Sequence, residues 1–130
     1  MRVKTRQVGS IMVIMTVLAL TIAAHASASA TLYSTETSKS TACVAKGSSG
    51  FQYWGAVASA SAYNVTYAVY GGSNSSNCNN LLSSTPYAPG YAVPNTGVGS
   101  SYSVGKLTMY GNTISSPKKE CIASGGIAAY

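Results

Sequence analysis

The segment from Tyr63 to Tyr70 constrains the fold of this chain more than any other part of the sequence. Its residues alternate strictly between two faces, one with Tyr63, Val65, Tyr67 and Val69 and the other with Asn64, Thr66, Ala68 and Tyr70. A period of two built from β-branched and aromatic residues is typical of a half-buried strand. We therefore predict a strand here, with Tyr63 and Tyr67 on the core face and Tyr70 on the opposite face.

Other segments also favour short strands. Ser101 to Tyr110 predicts a second strand, and a change of apolar parity across Gly105 predicts a β-bulge there. Phe51 to Ala60 and Thr41 to Lys46 predict further strands. The prolines at 86, 89 and 94 favour an extended loop or edge strand. Residues 121–123 and 127–130 predict a last hairpin that turns at Gly125 and Gly126.

The pattern as a whole indicates an all-β fold. No stretch keeps a helical period of 3.6 with capping residues, and turns rich in Gly, Pro, Asn and Ser separate the apolar segments. We expect a single β-rich domain over residues 41–130, built as a small antiparallel β-sandwich or barrel.

The N-terminus has the order of features that is typical of a secretory signal peptide. Three basic residues precede an apolar run from Ile11 to Ala24, which is shorter than the roughly 20 residues that a membrane-spanning helix needs. Small residues follow, so cleavage after Ala26, Ala28 or Ala30 is expected, and the alternative is an uncleaved anchor. Residues 1–30 are therefore assigned to the signal peptide, and the protein is expected to be secreted, extracellular or periplasmic, with no membrane span in the mature chain.

Residues 31–40, rich in Ser and Thr, are expected to form a flexible N-terminal arm, or an edge strand that orders only when it is paired. Beyond residue 30, five lysines against two glutamates leave a net charge of +3, and no arginine remains. Nucleic-acid binding normally needs a dense basic face, so it is not expected.

The mature chain lacks the side chains on which most acid–base catalysis depends. It contains no His and no Asp, and its only carboxylate side chains are Glu36 and Glu120. The sequence therefore predicts a protein that is not an enzyme and that holds no cofactor and no metal.

Three cysteines, Cys43, Cys78 and Cys121, are candidates for a disulfide, which persists in an exported protein. The sequence alone does not select the pair. The odd cysteine is expected either to be a buried free thiol or to form a bridge between two copies.

Aromatic residues are the best candidates for recognition, because Tyr and Trp are enriched in binding surfaces. We single out Tyr53, Trp54, Tyr70, Tyr87 and Tyr91; the alternative is that these rings cover a small core. Two glycosylation sequons begin at Asn64 and Asn74, of which Asn74 is the better acceptor if the source glycosylates secreted proteins.

These features predict an exported, non-enzymatic binding or assembly protein of the adhesin, coat or filament-subunit type. Its partner would be a protein, a cell surface or another copy of itself, because edge strands with few charges are templates for pairing. The alternative is a small secreted antagonist, such as a toxin, a bacteriocin-like protein or an inhibitor, that docks on a protein target through its aromatic residues.

Overall fold

The structure is a computed structural model that describes residues 27–130. The apolar run and most of the expected signal peptide lie outside the described residues. Within these described residues, the fold has nine strands and one short 3₁₀ turn. Their bounds are β1 Ser27–Leu32, β2 Ser38–Ser40, β3 Val44–Ala45, β4 Gly50–Val57, β5 Val65–Gly72, the 3₁₀ turn Ser75–Asn77, β6 Asn80–Tyr87, β7 Ala92–Gly99, β8 Val104–Gly111 and β9 Ala123–Ala129.

The strands form two antiparallel sheets that pack against each other, which confirms the predicted all-β fold and shows the sandwich of the two expected architectures. The four-stranded sheet has the order β1-β9-β4-β7. The other sheet has the order β2-β8-β5-β6, with β3 also paired to β8. Within residues 27–130, no helix is long and apolar enough to cross a membrane.

The core lies between the two sheets and consists mainly of aliphatic and tyrosine side chains. Phe51 and Tyr53 of β4, Tyr67 of β5, and Leu107 and Met109 of β8 are all at most 1% exposed. Tyr67 occupies the core face as predicted. Tyr63, predicted to share that face, precedes the strand and is 38% exposed, so that part of the prediction was wrong.

The segment expected to be a flexible arm, residues 31–40, is paired at both ends. Thr31 and Leu32 end β1, whose partner is β9, and Ser38–Ser40 forms β2 beside β8. Leu32 is fully buried in the core. Of the two expectations for this segment, the structure therefore shows paired edge strands. Their partners, β9 and β8, belong to the same chain.

Two predictions about glycines were wrong. The pairing of β5 with β8 runs through Gly105 without a register shift, so no bulge occurs there; the Phe51 ring instead fills the space beside this glycine. Gly125 and Gly126 lie inside the continuous strand β9 and not in a turn. Side chains of the opposite sheet pack on Gly125, and the Trp54 ring packs on Gly126.

Candidate functional site

The charged residues of the described chain are confined to its two ends. Every residue from Gly47 to Gly105 is uncharged, a segment that includes all of β4, β5, β6 and β7. The lysines and glutamates beyond residue 30 lie on either side of this segment. One half of the sandwich is therefore built without any ionic side chain.

Two uncharged edge strands lie next to each other on one side of the sandwich. β6 is the edge of the five-stranded sheet, β7 is the edge of the four-stranded sheet, and the two strands are in contact. Each is eight residues long. Leu81, near the start of β6, is 52% exposed. We call this surface, formed by Asn80–Tyr87 and Ala92–Gly99, the β6–β7 edge.

Single prolines interrupt the β6–β7 edge. Pro86 lies in β6 and Pro94 lies in β7. A proline has no backbone N–H and so removes one donor from an edge, but it leaves the other residues free to pair. The prediction of an extended or edge conformation around these prolines is confirmed by the structure.

The opposite side of the sandwich differs in length and in charge. Its five-stranded sheet ends in β2, which has only three residues and carries Lys39. The Lys39 ammonium lies 3.1 Å from the Glu36 carboxylate. Short strands and lysines are two of the means by which proteins block edge pairing, so the β2 edge is protected. The other edge strand on that side, β1, has six residues and no charged side chain, so it is shorter than β6 and β7 but not protected by charge.

Four tyrosines in contact with one another anchor the loop that connects β6 to β7. Tyr91, in the loop, stacks on Tyr87 with 5.4 Å between ring centroids, and Tyr87 meets the edge of the Tyr67 ring at the same distance. The Tyr53 and Tyr87 hydroxyls are 2.9 Å apart. Tyr67 donates its hydroxyl proton toward the Ser124 carbonyl oxygen at 2.6 Å.

The environment of these phenols favours their neutral form. Burial, followed by the hydrogen bond to Tyr53, raises the pKa of Tyr87 to about 12. Burial also raises the pKa of Tyr67 well above its usual value. Tyr67 and Tyr87 therefore stay uncharged at neutral pH, and the stacking of Tyr91 on Tyr87 holds the loop of the β6–β7 edge against the core.

The five predicted contact aromatics occupy different places. Tyr53 is buried at 1% exposure, so it cannot contact a partner of the folded protein. Trp54 and Tyr70 are partly buried on the outer faces of the two sheets, and Tyr87 is partly buried in the cluster. Tyr91 is 49% exposed beside the β6–β7 edge. Of the five, Tyr53, Tyr87 and Tyr91 are brought together, and only Tyr91 of these three is exposed.

The outer face of the four-stranded sheet carries two aromatic rings that lie over glycines. A Cβ atom added at Gly126 would be 2.5 Å from the Trp54 ring, and one added at Gly97 would be 2.9 Å from the Tyr130 ring. Tyr130 is 56% exposed, and sequence reasoning did not select it. The absence of side chains at Gly126 and Gly97 allows both rings to lie flat on the sheet.

Sequence reasoning selected Tyr70 on the five-stranded sheet but missed the polar patch around it. The Tyr70 and Tyr110 hydroxyls are 2.8 Å apart, and the Lys106 ammonium lies 5.9 Å from the centre of the Tyr70 ring. Ser40 and Thr108 share a hydrogen bond of 2.7 Å beside them. Burial, with the bond to Tyr70, raises the pKa of Tyr110 to about 12. In the sequence, Tyr110 follows Lys106 and Thr108 at a spacing of two residues. This spacing places all three on one face of the strand and could have revealed the patch.

The two carboxylates are not arranged as a catalytic pair. Glu36 accepts hydrogen bonds from the Tyr33 backbone N–H and from Lys39, and these bonds hold its pKa below the usual value. Glu120 is exposed in a loop, with a positive φ of 70°. In the part of the chain that the structure describes, no three His, Cys, Asp or Glu side chains are grouped as metal ligands would be.

The remaining predicted site residues are the cysteines and the sequons. All three cysteines are free thiols in the structure; Cys43 is partly buried, whereas Cys78 and Cys121 are buried. Asn64 and Asn74 are both exposed. Asn74 caps the 3₁₀ turn by accepting a hydrogen bond from the Ser76 backbone N–H at 3.1 Å.

Comparison with known proteins adds no functional information. No protein family, curated protein or solved structure matches this chain.

Proposed function

We propose that this protein is an exported, non-enzymatic assembly protein whose copies pair through the β6–β7 edge. The observation that carries the proposal is that two eight-residue edge strands without a charged side chain lie side by side. Unpaired backbone N–H and C=O groups on such an edge are templates for another strand. At about 3.4 Å per residue, each edge offers roughly 27 Å of backbone.

The proposed partner of this edge is a second copy of the chain. In a two-fold arrangement, β6 of one copy pairs antiparallel with β6 of the next, and a residue near the middle of the strand faces the same part of the strand in the other copy. Like charges opposite each other would destabilise such a pairing. The β6–β7 edge has none, whereas pairing through β2 would bring Lys39 toward its own copy. The β1 edge is also uncharged, but it has six residues and its neighbour β2 has three, so it offers less backbone than β6 and β7.

A charge placed on this edge tests the proposal. Ser84, exposed near the middle of β6, becomes Lys in one variant, and Ser115, exposed outside all strands, becomes Lys in the control. Both changes add the same charge. We expect Ser84→Lys to weaken association about tenfold or more, an effect of roughly 1.4 kcal/mol, and Ser115→Lys to leave it unchanged.

Sedimentation velocity of the mature protein gives the readout. The proposal requires oligomers of the unmodified protein in the range up to about 100 μM, which corresponds to a weak but specific contact. A protein that stays monomeric throughout this range would overturn the assembly function. Oligomers that respond equally to both lysines would overturn the role of the β6–β7 edge.

A second candidate function is supported by the two rings on the outer face of the four-stranded sheet. Trp54 lies beside the uncharged side chains of Gln52 and Asn95, and the Tyr130 ring lies over Gly97 on the neighbouring strand β7. Large flat aromatic rings are common anchors in protein interfaces. A secreted antagonist using this surface would bind its protein target as a monomer. Trp54→Ala would then abolish binding, whereas Ser84→Lys would have no effect.

A further inference from the structure

Two of the three cysteines meet at one end of the five-stranded sheet. Cys43 directly precedes β3, in which Val44 is paired with Gly105 of β8. Cys78 directly follows the 3₁₀ turn Ser75–Asn77. The Cys43 sulfur lies 4.0 Å from the Ser75 carbonyl oxygen, so the Cys43 side chain contacts the turn that directly precedes Cys78.

The Cys78 sulfur points toward the same strand end. It lies 3.4 Å from the Tyr70 carbonyl oxygen and 3.8 Å from the Val104 carbonyl oxygen. Gly72, which pairs with Val104, lets the turn approach this closely, because an added Cβ atom would overlap the Asn77 carbonyl group. Both sulfurs therefore lie where the 3₁₀ turn meets the paired ends of β3 and β8.

The third cysteine is remote from this pair. Cys121 is fully buried, with its sulfur 3.7 Å from the Tyr63 carbonyl oxygen and 3.9 Å from that of Asn64. Those carbonyls precede β5, whereas Cys78 lies at its far end. The strand length between these sites is roughly 20 Å, while a disulfide needs Cα atoms within about 7 Å. Cys121 can therefore bridge to neither partner in this fold.

We propose that Cys43 and Cys78 form the disulfide of this protein when it meets an oxidising compartment, and that Cys121 remains a free, buried thiol. The oxidant is a disulfide, either a small molecule such as oxidised glutathione or a protein. The bridge closes a loop of about 35 residues and fastens β3 to the turn that precedes β6. A bridge over a loop of this length lowers the conformational entropy of the unfolded chain and so stabilises the folded protein.

The two cysteines have different roles in the exchange. Cys43 is the more accessible of the two, so its thiolate attacks one sulfur of the oxidant, forms a mixed disulfide and expels the other sulfur as a thiolate. Cys78 then loses its proton to that leaving thiolate and attacks the Cys43 sulfur, which releases the second half of the oxidant. The protein loses two electrons and two protons, and the oxidant becomes two thiols.

The environment of Cys78 supports this order. Burial, followed by the hydrogen bond with Cys43, raises the pKa of the Cys78 thiol to about 11. A thiol that stays protonated at neutral pH is a poor first nucleophile. It reacts only after Cys43 has formed the mixed disulfide beside it.

Thiol counting on the mature protein tests the proposal. The protein is equilibrated with oxidised and reduced glutathione, then unfolded in an alkylating agent, and its intact mass and linked peptides are measured. We expect the oxidised form to be lighter by two hydrogen atoms before alkylation, to carry one alkyl group at Cys121, and to yield a peptide linking Cys43 to Cys78. The reduced form should carry three alkyl groups.

Variants and stability provide the controls. Cys121→Ser should keep the bridge, and Cys43→Ser should lose it. The oxidised protein should have an unfolding equilibrium constant lower than that of the reduced protein by about two to three orders of magnitude. Cys43→Ser should show no such difference between the two buffers. A bridge that includes Cys121, a disulfide-linked dimer, or three alkylated thiols after oxidation would each overturn the proposal.

Discussion

Truncation of Leu32 is the sharpest test of how the N-terminal segment is folded. Leu32 ends β1, is fully buried, and is paired with Ala123 of β9. Leu32→Ala removes three carbon atoms from the core, each worth about 0.8 kcal/mol of transfer free energy. The cavity left behind adds to this loss, so we expect the free energy of unfolding to fall by about 2.5–4 kcal/mol.

The neighbouring residue provides a matched control. Tyr33 is 59% exposed, so Tyr33→Ala should change the free energy of unfolding by no more than about 0.5 kcal/mol. Both variants are compared with the unmodified protein starting at Ser27, by urea unfolding followed through the fluorescence of Trp54. A destabilisation by Leu32→Ala no larger than that by Tyr33→Ala would refute the burial of Leu32.

Three further predictions concern glycines and tyrosines. Gly125→Ala should destabilise the protein by about 1–3 kcal/mol in the same urea assay, because the new Cβ atom would lie 2.8 Å from a Leu107 methyl group; an unchanged midpoint would contradict this. Gly126→Ala should push the Trp54 ring off the sheet and shift its fluorescence to longer wavelength, since the added atom would be 2.5 Å from the ring; an unshifted spectrum would count against the stacking. Tyr87 and Tyr110 each have a pKa of about 12, so the folded protein keeps protons that the unfolded chain loses above about pH 10. The free energy of unfolding should therefore fall as the pH rises from about 10 to 12, and tyrosinate absorbance should show phenols that ionise late.

Local periodicity was sufficient to predict the central strand. In β5, the alternation of Val65, Tyr67 and Val69 with Thr66 and Ala68 reports the two faces of a sheet directly. The two sheets and their antiparallel pairing followed from the same kind of local signal. Only the start of the strand was misplaced, since Tyr63 continues the alternation beyond the residues that are paired.

Features that depend on distant parts of the chain were not predictable in this way. In the sequence, Leu32 lies in a segment rich in Ser and Thr, and the strand that pairs with its own strand lies at the other end of the chain. Gly125 and Gly126 have the composition of a turn. In the structure they are strand residues on which side chains from other strands pack closely, because a glycine has no Cβ atom. Aromatic neighbours that are remote in sequence leave no local pattern.

The candidate interface combines both kinds of information. The absence of charge between Gly47 and Gly105 is visible in the sequence. That β6 and β7 are both edges, and lie on the same side, depends on the order of strands in two sheets. The sequence identified both Tyr91 and Tyr53 as candidate contact residues. It could not tell that Tyr91 is exposed and Tyr53 is buried, because that difference depends on which distant residues pack around each ring.

The pairing of the first described strand with the last one sets the timing of maturation in an exported protein. If the protein is exported as proposed, residues 27–32 have no partner until Ala123–Ala129 has been synthesised and has emerged from the export machinery. During that interval the chain around the candidate cleavage sites is open to the signal peptidase. Cleavage after Ala26 would deliver β1 complete, whereas cleavage after Ala30 would remove four of its six paired residues. The choice of cleavage site would then determine whether β9 is an interior strand or a new open edge.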